Sequence, residues 1–305
     1  MQKTTQELAY EDATPLLDDP QALREFGERE GYLFFKSRIP ADALREVRKD
    51  ILDVIGKHDL LKPGVDPDEA RIDLDKVAQS EPFAGCTEGV FNDVQRLESF
   101  HRIAHHPAVL AIYERLFDGP VLPHPRNIAR VLFPGPHANA TPPHQDYIHI
   151  QGTQQTWTAW FPLGDCPRNL GGLSVLRRSH KEGVVAVGEA PGAGGLEAKL
   201  CPSETEWFVG DFEIGDVLTF PSTTIHKGMT NQFEDRIRLS CDFRYQSADN
   251  EIEEQSLHPH RQTLTWDEIY AGWKSKDLCY YWQKYDIPRS AWDESIRWQK
   301  ERICN

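Results

Sequence analysis

TPPHQDYIHI, residues 141–150, sets a histidine and an aspartate two positions apart in a run that otherwise has strand character. In a strand, alternate side chains share a face, so His144 and Asp146 are expected to point together while Gln145 and Tyr147 point the other way. His149 then falls on the face opposite the pair, as a core or hydrogen-bonding histidine. An isolated H-x-D in a chain with 12 histidines is weak evidence for a site. The surrounding sequence strengthens it. From Asn127 onward, seven short β-rich runs (IARVLF, YIHIQG, TWTAWFPL, LSVLR, WFVGDFEI, DVLTF, IRLSCDFRY) are separated by glycine and proline. That pattern predicts an antiparallel sandwich or barrel.

Helical signals flank the β-rich region. Asp19 and Pro20 suit the cap and first turn of a helix through DDPQALREFGERE, with Leu23 and Phe26 on its apolar side. GYLFF (31–35) reads as a buried strand, and Pro40 opens a second helix with Leu44, Val47, Ile51 and Ile55 at helical spacing. Residues 61–90 mix acids, prolines and glycines and predict a long surface segment that can act as a lid. PAVLAIYERLF (107–117) predicts another helix. After a cap at Thr265, WDEIYAGWKSKDLCYYWQKY predicts a helical tail able to cover the barrel, form a homodimer contact, or both. Residues 1–305 are expected to form one mainly β domain with flanking helices: an N-terminal unit over about 20–120, the β core over about 121–250 and the helical extension over about 255–305.

Composition narrows the function. The net charge of −14 disfavours nucleic acid, whose phosphates require a basic face. No apolar run approaches the ~20 residues of a membrane span, and the N-terminal stretch lacks a basic region followed by an apolar one, so a cytoplasmic protein is expected. Six scattered cysteines without a CxxC pair suggest reduced thiols rather than a disulfide framework or structural zinc.

Two ligands hold a divalent ion poorly. The best third candidate is His226 in DVLTFPSTTIHKG, 82 residues beyond His144. Two histidines and a carboxylate make a facial triad suited to ferrous iron, leaving positions open for a co-substrate and O2; zinc accepts similar ligands, usually for hydrolysis. Arg236, ten residues after His226, enters a largely apolar run and needs an anion. The distal carboxylate of 2-oxoglutarate is the expected partner, with Arg238 as the weaker alternative. Arg130 is a strand arginine without an evident partner, read either as an anchor for substrate or co-substrate or as part of an exposed face or a structural ion pair. His101, His105 and His106 are better explained by a partly exposed helix face than by a metal, and His258 and His260 by a surface loop.

The series HQD (144–146), WTAWFPLGDCPRNLGGLSVLRRSHKEG, GDVLTFPSTTIHKG and RIRLS, with QALREFGEREGYLFFKSRIPADALREVR before it, resembles the phytanoyl-CoA dioxygenase family of iron(II)- and 2-oxoglutarate-dependent oxygenases over residues 20–246. The resemblance implies a double-stranded β-helix (jelly-roll, cupin-like) core, iron(II) on His144, Asp146 and His226, 2-oxoglutarate on Arg236, and Trp157 near the co-substrate. It also implies a dioxygenase that uses O2 to hydroxylate, or otherwise oxidise, an unactivated C–H bond of a small molecule. Halogenation is disfavoured, because related halogenases lack the carboxylate supplied here by Asp146. Arg177-Arg178 stands where relatives commonly have Pro-Gly, and this pair is the one obvious basic patch for a CoA thioester; a small specialised metabolite is the favoured substrate. The competing readings are a zinc hydrolase and a non-catalytic jelly-roll metal-binding module built on the same triad.

Overall fold

The computed structural model describes residues 5–135, 140–192, 194–298, 302 and 304. Its centre is the ten-residue strand Arg238–Ser247, buried at every position. One edge pairs with Trp157–Pro162; the other pairs first with Ile128–Leu132 and then with Val121–Pro123. Val217–Pro221 and Leu33–Phe35 complete this larger, antiparallel sheet. A smaller sheet runs Gln6–Leu8, Glu206–Phe208, Leu173–Leu176, His226–Gly228, its first pairing parallel and the others antiparallel.

Helices cover one face of the larger sheet. Phe243 packs between Phe161 and Phe100, and Tyr245 stacks on Tyr113 with ring centroids 4.0 Å apart. The first helix spans Pro20–Glu30, with the Asp19 carboxylate accepting from the Ala22 amide as the cap expects and left-handed Gly31 ending it. The second, Ala41–Lys57, buries Leu44, Val47, Ile51 and Ile55 as its spacing predicts. With helices on one side and the functional cavity on the other, Arg238–Ser247 is enclosed on both faces, and its charged residues Arg238, Asp242 and Arg244 all lie on the cavity side.

Three expectations about local structure are corrected. YIHIQG is not a strand: Asp146 has helical φ/ψ, its carbonyl accepts from the His149 and Ile150 amides, and Tyr147–Ile150 forms a single helical turn. The aromatic tail is mostly irregular. After a capping box at Thr265 and Glu268, only Trp266–Tyr270 is α-helical, because the Lys274 and Ser275 amides turn to the Glu98 carboxylate and the Trp273 indole donates to Arg96 O. Trp266, Tyr270, Trp273 and Trp282 are buried within the chain in one cluster with Leu122, with Tyr280 and Tyr281 partly buried against it. Finally, Cys201 and Cys304 form a disulfide, whereas reduced thiols were expected; the other four cysteines are not disulfide-bonded. No helix among the described residues is long and apolar enough to cross a membrane.

His101 is also more deeply placed than a partly exposed helix predicts. Its Nε2 bonds to Gln95 O at 2.9 Å, and burial pushes its pKa down to about 4. His124, hydrogen-bonded to Gln246 at 2.8 Å, is pushed down by burial to about 3. Both values lie below the unfolded value of ~6.5, so the unfolded chain takes up the protons first and stability falls as pH drops below that value. Near pH 5 these two histidines alone are expected to remove about 2–3 kcal/mol per pH unit. Denaturant unfolding across pH 7 to 4.5 measures this, and a flat profile contradicts it.

Candidate active site

His144 and His226 face each other through a two-way backbone bridge, with amide-to-carbonyl distances of 2.9 and 3.0 Å. This bridge aligns the two imidazoles. The helical turn beginning at Asp146 then swings the carboxylate beside them. Ligand atoms from the three residues lie within 4.8 Å of one another; Asp146 Oδ1 is 3.8 Å from His144 Nε2 and 4.0 Å from His226 Nε2. All three side chains are buried. Between them, Gln145 is fully buried and bonded to Gly183 O, Thr223 O and the Val185 amide, which pins the short segment from the opposite side.

Hydrogen bonds prepare these donors for a metal. His144 Nδ1 lies 2.8 Å from Pro142 O and His226 Nδ1 lies 3.0 Å from Thr224 O, so each Nδ1 carries the proton and each Nε2 presents a lone pair. Burial alone would raise the Asp146 carboxyl. Against it, Arg244, the two imidazoles and the Thr158 hydroxyl, which donates at 2.5 Å, hold the acid well below the usual carboxylate range. Two neutral imidazoles and one carboxylate fit a divalent iron with sites left open.

Behind the triad is a narrow inner pocket, with a cavity volume of about 20 Å³, lined from both sheets. Thr158 and Trp160 reach it from one strand, Arg238, Asp242 and Arg244 from the next, and Leu173 from the smaller sheet. Arg130 Nε bonds to Asp242 Oδ2 at 2.5 Å and Arg244 Nη2 to Asp146 Oδ1 at 3.1 Å. Arg238 is different. It is 4 % exposed, its Nη1 donates to the Ser240 hydroxyl, and no carboxylate among the described residues lies within ion-pairing distance.

A sequence model of the phytanoyl-CoA dioxygenase (PhyH) family matches residues 27–239. The chain belongs to that family. It is an iron(II)- and 2-oxoglutarate-dependent dioxygenase that consumes O2. It is 28% identical over 263 residues to 1-deoxypentalenic acid 11-beta-hydroxylase of Streptomyces arenae and 27% identical over 266 residues to that of Streptomyces exfoliatus, each match covering 82% of this chain and 89% of the relative. Its fold is similar to that of the epimerase SnoN, solved with Fe3+, alpha ketoglutarate and nogalamycin RO (TM-score 0.54, 22% identity, 76% of this chain and 86% of SnoN). It is also similar to the non-heme monooxygenase ThoJ (TM-score 0.53, 16% identity, 82% of this chain and 94% of ThoJ).

In this PhyH-family chain the candidates from sequence separate into those that meet and those that do not. His144, Asp146 and His226 converge. Arg236 does not join them: it is only half-buried, lies beyond the end of the long strand in a bridge with Arg71, and sets its guanidinium 5.4 Å from the Phe233 ring centre. Two residues on, Arg238 occupies the pocket. Trp157 is likewise displaced, because it points away from the triad into the groove beside Gly27 and Leu116, while Trp160, on the other face of its strand, lines the inner pocket. Residues 61–90 line neither the inner pocket nor its mouth; they are tied down by Lys62 and Arg71, both paired with Asp235. Arg177 and Arg178 are neutralised by Glu30 and Glu206 and offer no CoA phosphate patch.

Two histidines that the sequence reading placed elsewhere complete the mouth. His149 stands there with His144 and Asp146, because the helical turn carries it three residues round to Asp146's side instead of the opposite strand face. His260, assigned to a surface loop, also lines it, with Nδ1 buried and unpartnered. The tail therefore helps to form the way into the site.

Proposed function

We propose that this dioxygenase hydroxylates an unactivated C–H bond of a small molecule, with iron held by His144, Asp146 and His226 and the distal carboxylate of 2-oxoglutarate held by Arg238. The observation that carries the reading is one buried arginine without a carboxylate partner among the described residues, in the narrow inner pocket that His144, Asp146 and His226 also line. Iron bound there lets O2 oxidise both partners: 2-oxoglutarate gives succinate and CO2, and the C–H bond takes up one oxygen atom as an alcohol. The chain's own contribution is positional. Carbonyls of Pro142 and Thr224 fix the imidazoles, Thr158 and Arg244 fix Asp146, and Trp160, Leu173 and Phe220 shield the pocket from water. The two sheets, with the pocket between them, support a double-stranded β-helix core within one domain, and the named hydroxylase relatives support a small specialised metabolite as substrate.

Neither alternative gains an observation. A zinc hydrolase needs a general base beside the metal, yet the pocket's second carboxylate, Asp242, is held by Arg130. A saturated structural site needs a fourth protein ligand, and the metal-ligating group among the described residues comprises three. Anaerobic addition of Fe(II) and then 2-oxoglutarate to metal-free protein tests the proposal. A visible charge-transfer band is expected, followed on admission of O2 by succinate release that a substrate accelerates. Tight metal binding without a band on adding 2-oxoglutarate overturns it.

A further inference from the structure

The mouth of the active site is strongly basic in an acidic chain. Arg126, Arg130, Arg244, Arg261 and Arg297 all line it, against a single lining acid, Asp146, while the whole protein carries a net charge of −14. Asp242 and Asp146 account for Arg130 and Arg244. Arg126, Arg261 and Arg297 have no carboxylate within ion-pairing distance among the described residues; Arg126 makes only a long contact, 3.4 Å, to His258 O. Unpartnered donors point to the same place. Arg244 is 5 % exposed, and its Nε and Nη1 are buried without a partner, as is Nε of Arg297. Buried donors left unpaired are costly, and a cluster of them facing one cavity is the setting an anion would satisfy.

We infer that the substrate carries an anionic head group, a carboxylate or phosphate, held by Arg126, Arg261 and Arg297 at the mouth, so that the rest of its skeleton reaches toward the triad. This rests on the proposed oxygenase reading and names the substrate class for the same site. Ile128 and Ile150 give the cavity apolar wall beside the arginines, so the anion belongs to a molecule with an apolar body. The site is distinct from the co-substrate position because Arg126, Arg261 and Arg297 line the mouth and not the inner pocket that contains Arg238. Two of the three arginines come from the tail, which gives that segment a role in recognition.

The test is calorimetric titration of the metal-free, full-length protein with 1-adamantanecarboxylate and its neutral match, 1-adamantanecarboxamide. Wild type is expected to prefer the acid by about tenfold or more, the scale of one charge-assisted hydrogen bond. The preference should disappear in the Arg126→Gln/Arg297→Gln double variant, weaken in Arg261→Gln, whose exposed side chain is not needed for folding, and persist in Arg236→Gln. Competition by millimolar inorganic phosphate identifies a phosphate-selective site; acid binding unaffected by phosphate identifies a carboxylate site, and both support the inference. Equal binding of acid and amide, binding of neither, or an acid preference that survives the double variant overturns it. The titration uses neither iron nor 2-oxoglutarate, so failure of the oxygenase reading, seen as a missing charge-transfer band, is recorded separately.

Discussion

Asp146→Ala is expected to abolish the charge-transfer band and also to destabilise the metal-free protein, whereas His226→Ala abolishes the band at a much smaller cost in stability. Both remove one of three proposed iron ligands. Turnover in each should therefore fall by more than the roughly 10–100-fold that loss of a ligand's supporting partner typically costs. Their stabilities differ because Asp146 is also the counter-charge of Arg244, both being buried and 3.1 Å apart. Removing the carboxylate leaves a guanidinium whose other nitrogens already lack partners, a change that typically costs about 3–5 kcal/mol. His226→Ala leaves that pair intact and removes a side chain that burial keeps neutral. Since the folded Asp146 pKa is depressed, its stabilisation is present above the unfolded value of ~3.9 and is lost as pH falls through the folded one. The comparison is therefore made at pH 7, by urea unfolding without metal. A band that survives in His226→Ala contradicts the ligand set; equal stability of Asp146→Ala and wild type contradicts the pairing with Arg244.

How far the sequence reveals this site can be traced residue by residue. The triad was legible because the residue types and their order suffice, although the stated geometry was wrong for one pair: a helical turn, not strand alternation, sets Asp146 beside His144, while a backbone bridge brings in His226. That error carried over to His149. A period of two placed it opposite the triad, whereas a helical turn returns it to the mouth. The first two helices and the buried strand Leu33–Phe35 were legible from caps and spacing, since local signals and tertiary packing agree there. In the tail they do not: Gly272 and the amides drawn to Glu98 interrupt a helical pattern that single-sequence reading cannot know is engaged elsewhere. A stronger signal was present but unused. In RLSCDFRY, Arg238, Ser240, Asp242 and Arg244 alternate with apolar residues, and that period alone places all four on one face of a strand buried on both sides. The mouth arginines of the tail were not legible, because nothing in the local sequence indicates which surface a long irregular segment will cover.

The choice between Arg236 and Arg238 yields the second large effect. Spacing from His226 favoured Arg236, and a strand face shared by i and i+2 could not separate them. The structure places only Arg238 in the inner pocket, because the long strand begins at that residue and Arg236 lies beyond the sheet edge beside Phe233. If Arg238 forms the two-pronged contact to the distal carboxylate, Arg238→Gln removes charge-assisted bonds worth about 2–3 kcal/mol, equivalent to a 30- to 150-fold weaker dissociation constant for 2-oxoglutarate. Arg236→Gln should change it by less than about twofold, since its side chain is half-solvated and remote from the pocket. Anaerobic titration of the iron(II) protein with 2-oxoglutarate measures both. In Arg238→Gln the midpoint should move to higher concentration while the band at saturation keeps its wild-type intensity, because the three iron ligands are untouched. A merely structural arginine would predict a smaller saturating band from partly misfolded protein, with an unchanged midpoint. If the midpoint shift appears instead in Arg236→Gln, the co-substrate approaches from the sheet edge, and the role assigned to the inner pocket is wrong.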